Sequence, residues 1–189
     1  MPTSKEHRAG QGGTSPLLHV LFLGILVTAS ILSVPALAQN IKNKYVTSSQ
    51  ANGTLYFVFP LSGFAAEGEG GRFRYDLTLL SAGDSVTINF SYVDPSTLVL
   101  DSLVLGDGDL RSAFPTKRLQ VEPKGKGWHY RYTARVPMEW LAVWSERPHP
   151  PGLTLITNSG PIPLHISRGR WKDHSHLITR ILQLVAYNK

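Results

Sequence analysis

Between Arg72 and Tyr92 the chain alternates polar and apolar residues almost without a break, and that alternation admits one local solution. Phe73, Tyr75, Leu77 and Leu79 fall on one side, and Arg72, Arg74, Asp76 and Thr78 on the other. Beyond Ser81-Ala82-Gly83-Asp84, Val86, Ile88, Phe90 and Tyr92 alternate with Ser85, Thr87, Asn89 and Ser91. Successive side chains of an extended strand point to opposite faces, so each segment reads as a half-buried strand. Two such strands joined by a short glycine-containing loop form a β-hairpin.

The pattern recurs along the chain. Thr54 to Phe59 is β-rich and ends at Pro60, and Thr97 to Leu105 follows an Asp94-Pro95 turn and is apolar enough to be buried on both faces. Leu119 to Glu122 and Trp128 to Val136 flank Pro123-Lys124-Gly125-Lys126-Gly127, a second hairpin. Leu153 to Thr157 and Ile162 to Ile166 flank Asn158-Ser159-Gly160-Pro161, a third. The glycines at 68, 70 and 71 make Ala65 to Gly71 a loop, and Pro148, Pro150 and Pro151 mark another short boundary. Met138 to Trp144 fits either a strand continuation or a helical turn. From about Trp171 to Tyr187 the period becomes helical, with Leu177, Ile178, Ile181, Leu182 and Val185 in one stripe. Its cap is expected at Asp173 or Ser175. The fold class expected is therefore mainly β: an antiparallel β-sandwich or barrel-like domain with one C-terminal amphipathic α-helix.

An N-terminal segment is set apart from this domain. Leu17 to Ala38 is apolar, follows Lys5 and Arg8, and closes on Ala36-Leu37-Ala38, the pattern of a secretory signal peptide over residues 1–38. Leu17 to Val34 as a helix would measure about 27 Å, so an uncleaved membrane tether is the alternative. Either way residues 39–189 are expected to be exported, to the periplasm, the cell surface or the extracellular space. The chain has no cysteine, which removes disulfides, thiolate catalysis and a lipid-modified cysteine from consideration. Residues 39–189 must then fold as one domain on a hydrophobic core alone. Asn52-Gly53-Thr54 and Asn89-Phe90-Ser91 are glycosylation sequons that matter only in a eukaryote, whereas the signal and the missing cysteines favour a bacterial envelope.

Removing Lys5, Arg8 and Glu6 from the 19 basic and 13 acidic residues leaves 17 against 12. A basic exported domain is expected to meet an anionic envelope component, a lipid headgroup or a glycan, or another envelope protein, and not nucleic acid. The residues proposed to carry this are Arg72, Arg74, Arg131 and Arg135. The last two alternate with Trp128, Tyr130 and Tyr132 on the strand from Trp128 to Val136, so a basic face backs an aromatic one. Should the strands share a sheet, four guanidiniums share a surface able to grip phosphates or carboxylates. Pairing with Asp76 and Asp101 is the competing reading. Trp128, Trp140, Trp144 and Trp171 are assigned to the core.

No cofactor, metal or catalytic residue is assigned. Asp107-Gly108-Asp109 lacks the closing Glu of a calcium loop and reads as a turn. His174 and His176 are two apart, which splays them about 200° on a helix, where zinc sites favour a spacing of four. The nucleophile-elbow and serine–lysine signatures of acyl-enzymes are missing from the mature chain. The expected function is a non-enzymatic binding or structural protein. The alternatives are an envelope-polymer hydrolase with a dispersed site, or an accessory subunit docking through its C-terminal helix.

Overall fold

The computed structural model describes residues 41–67 and 71–189, so the signal peptide expected over residues 1–38 lies outside the described residues. A single 3-10 turn, Lys42–Lys44, leads into nine strands: β1 (Tyr45–Gln50), β2 (Gly53–Ala66), β3 (Arg72–Leu80), β4 (Ser85–Asp94), β5 (Leu100–Leu105), β6 (Ser112–Lys124), β7 (Gly127–Pro137), β8 (Leu153–Thr157) and β9 (Gly160–His165). Among the described residues two helices complete it, α1 (Met138–Ser145) between β7 and β8, and α2 (Arg168–Tyr187) after β9. The domain is mainly β, with the expected C-terminal helix. All nine strands join one antiparallel sheet in the order β1-β2-β3-β4-β7-β6-β5-β8-β9, and β9 pairs back on β2 through Ala65↔His165 and Ala66↔Leu164.

The Arg72–Tyr92 alternation becomes the β3–β4 hairpin. Phe73, Tyr75, Leu77 and Leu79 are buried, as are Val86, Ile88, Phe90 and Tyr92 opposite them. The second and third hairpins are β6–β7 and β8–β9. From β4 the chain crosses to β5, three places away in the sheet, and returns through β6 and β7 to lie beside β4, a Greek-key path. Polar side chains hold this crossover. Tyr130 Oη accepts from the Leu98 amide at 2.8 Å and donates to the Ser96 carbonyl at 2.7 Å, while Asn158 Oδ1 accepts from Val99 N–H at 2.9 Å.

Several expected boundaries move. β2 does not stop at Pro60. It runs on to Ala66 through two register shifts, one between Val58 and Leu61 and one between Ser62 and Phe64. A bulge leaves one residue out of the ladder, which lets proline sit inside a strand. β1 was not foreseen, although Ala51-Asn52 closes a tight turn on Gly53, whose φ is 130°. Met138–Ser145 is helical, with Glu139 in its first turn, where a carboxylate complements the helix dipole. α2 begins three residues before Trp171, and its cap is neither Asp173 nor Ser175. Ser167, in extended backbone, accepts from the Arg170 amide at 3.5 Å.

One core spans the sheet and both helices. α2 buries Trp171, His174, Leu177, Ile178, Ile181 and Val185. For Leu177, Ile178, Ile181 and Val185, leaving water contributes about 1.5–3 kcal/mol each. Phe64 of β2 lies at the aromatic centre, with ring centroids 6.2 Å from Trp144 of α1 and 6.5 Å from Trp171 of α2. Trp144 and Trp171 meet edge to face at 4.7 Å. Trp128 and Trp140 are only partly buried against this core. Near the C-terminus Asn188 stops the helix, its backbone N–H returning to the Leu184 and Val185 carbonyls.

Candidate functional site

The sequence places its candidate arginines on strand faces, and the sheet brings them to one side of the molecule. β3 and β7 are not neighbours; β4 lies between them. Arg74 pairs across to Ser91, and Ser91 to Arg131, so these two arginines share one row about 10 Å apart. Arg72 lies one outward position from Arg74. Arg135 lies two outward positions from Arg131, about 13 Å along the strand. All four are exposed, because their strand neighbours Phe73, Tyr75, Tyr132, Ala134 and Val136 take the inward positions.

Carboxylates answer half of this charge. Arg131 Nη2 stands 4.0 Å from Asp76 Oδ2, and Asn89 Nδ2 donates to Asp76 Oδ1 at 2.8 Å. Arg135 Nε donates to Ser85 Oγ at 2.7 Å, and its Nη2 lies 3.5 Å from Asp84. In the adjoining row His129 Nδ1 is 2.9 Å from Glu122 Oε1, a hydrogen bond that holds the Glu122 carboxyl below its ordinary range. Among the described residues Arg72 and Arg74 have neither an ion pair nor a side-chain hydrogen bond. Asp101, the other partner considered, is exposed on β5 and pairs with none of the four.

A second basic surface escaped the sequence reading. A groove runs between the Pro60–Ser62 stretch of β2, the loop after α1 and the first turns of α2, with Ile41 and Lys44 on its rim. Lys44, Arg147, Arg168, Arg170 and Lys172 line it, against Glu146 and Asp173. None of these seven makes an ion pair among the described residues. Trp171 fixes the loop to the helix, because its Nε1 donates to the Arg147 carbonyl at 2.9 Å. Arg170 lies over the bulge in β2. A Cβ added at Gly63, whose φ is 144°, would stand 2.8 Å from Arg170 Cδ. The one local signal was a helix start bearing Arg168, Arg170 and Lys172 with no acid in its first turn, opposite to what the dipole favours.

Beneath the groove His174 is buried, while His176, two residues on, is exposed. His174 Nδ1 lies 3.1 Å from Tyr75 Oη, and its ring packs between Phe64 and Tyr75. Loss of water holds its imidazole below the ordinary histidine range, opposed by a backbone hydrogen bond with Ser62 and by the charge of Asp173. Burial likewise raises the Tyr75 phenol. Both groups are therefore neutral near pH 7 and serve packing. Neither Asp173 nor His176 makes a side-chain hydrogen bond among the described residues, so the groove holds no assembled acid–histidine or serine–histidine pair. The Gly152 amide donates to Asp107 Oδ2 at 2.7 Å, which ties two loops together.

Comparison of the chain with protein-family models, with curated proteins and with solved structures found no match. The functional reading therefore rests on these surfaces.

Proposed function

We propose that the chain is an exported, non-enzymatic binding or structural protein of the bacterial cell envelope. Its β3–β4–β7 face would recognise an anionic envelope component through Arg72, Arg74, Arg131 and Arg135. The observation that carries this reading is the shared outward face, with Arg74 and Arg131 in one row and Arg72 and Arg74 unpaired with any carboxylate among the described residues. Guanidinium groups at that spacing can each take a separate phosphate or carboxylate of an extended polymer. In this reading the domain is barrel-like, since the β9–β2 pairing returns the sheet to its second strand. A rigid sheet of that kind holds the arginines at a constant spacing.

The test is retention on purified cell wall. Arg72→Glu/Arg74→Glu should cut retention at least several-fold and leave the thermal melt unchanged, because both side chains are exposed. Retention equal to that of the parent protein would sink the reading.

A further inference from the structure

We infer that the groove at the start of α2 is a docking surface for the headgroup layer of an anionic phospholipid membrane. This surface does not use the strand-face arginines, so either reading can fail alone. Five cations converge on it from three separated parts of the chain: Lys44 from the 3-10 turn, Arg147 from the loop after α1, and Arg168, Arg170 and Lys172 from α2. Among the described residues Glu146 and Asp173 are the carboxylates that line the groove with them, and no ion pair neutralises any of the five. Clusters of basic side chains of this size gain roughly fivefold in binding for each cation brought to an anionic lipid surface.

Two further observations select a membrane over a small anion. The first is reach. The apolar run Leu17–Val34 ends seven residues before Ile41, which stands on the groove rim, and a chain of that length spans about 25 Å at most. A retained tether would hold the groove close to the lipid surface it enters. The second is spread. Arg168 and Lys172 are four apart and share one helix side, whereas Arg170 leans across Gly63 on the other side. Cations distributed along a groove in this way suit a layer of headgroups better than one enclosed phosphate.

The experiment uses the full chain and reads the groove locally, because insertion of the apolar run alone would carry the protein onto any vesicle. Lysine acetylation rates at Lys44 and Lys172 are measured by mass spectrometry with vesicles of phosphatidylcholine, or of phosphatidylcholine mixed with phosphatidylglycerol. Phosphatidylglycerol should slow acetylation of both lysines roughly threefold or more, and high salt should restore the rate. Arg168→Glu/Arg170→Glu should abolish the slowing while Arg72→Glu/Arg74→Glu keeps it. Should the double helix variant fail to fold, Lys44→Glu, outside the core, gives the same reading at Lys172. Equal rates in the two vesicles would overturn the inference, and so would equal slowing by inorganic phosphate alone, which would mark a small-anion site.

Discussion

The strand face carries four arginines and the groove five cations, yet among the described residues only the strand face joins its arginines to carboxylates in ion pairs. Arg131 reaches Asp76 across the intervening strand β4, and Arg135 reaches Asp84 in the turn that leads into β4. In the groove, Arg168, Arg170 and Lys172 crowd the positive end of a helix, where like charges and the dipole oppose one another. Sequences that break a local rule of this kind often do so where something outside the fold compensates. The strand face is therefore partly quenched by its own neighbours, whereas the groove stays uncompensated among the described residues.

The largest effect is expected where the groove is fastened to the core. Trp171 is buried against Phe64 and Trp144, and its indole N–H holds the Arg147 carbonyl. Trp171→Ala should lose about 3–5 kcal/mol in urea unfolding. It should also release the Arg147 loop, seen as a larger increase in amide exchange at residues 145–147 than in β3 and β4. A uniform rise across the sheet would show that the groove and the strand face are not separately supported.

A smaller effect is tied to pH. His174 is neutral in the fold because burial lowers its pKa below the unfolded value. The unfolded chain then binds the extra proton first as the pH falls. The stability from keeping His174 neutral is complete above about pH 6.5 and is lost as the pH drops toward the folded value. The urea midpoint should fall between about pH 7.5 and pH 5.5, and His174→Gln should flatten that part of the profile. Tyr75→Phe leaves Nδ1 without its partner and should cost about 1–2 kcal/mol at either pH. An unchanged slope in His174→Gln would assign the acid sensitivity elsewhere.

How much of this was legible follows from range. The β3–β4 hairpin was readable residue by residue because period two and a glycine turn are both local. β1 was overlooked because Asn52-Gly53 was read as a sequon before it was read as a turn, and Tyr45–Gln50 carries few apolar residues. The outward side of Arg72, Arg74, Arg131 and Arg135 was predictable from alternation. That β4 would lie between them was not, because strand order depends on which distant segments pair. The groove was less visible still. Its walls come from Ile41, Lys44 and the stretches 60–62, 145–148 and 168–179, and only the acid-free start of α2 hinted at it. The cap at Ser167, and not at Asp173 or Ser175, belongs to the same gap, since Arg168 and Arg170 precede the apolar stripe that marks the helix in the sequence.

The smallest expected change sharpens the comparison most directly. Asp76 is the carboxylate beside Arg131, and Asp76→Asn keeps its size and its capacity to bond Asn89. An exposed pair at 4.0 Å contributes little, so stability should move by less than about 1 kcal/mol. If carboxylates limit the strand face, removing this one should strengthen retention on cell wall by a small factor. Acetylation of Lys44 and Lys172 on phosphatidylglycerol vesicles should not respond, because those lysines lie on the other surface. Weaker retention would mean that Asp76 orients Arg131 for binding and does not compete with the ligand. The two surfaces would then differ in how their cations are held, and no longer in whether their charge is available.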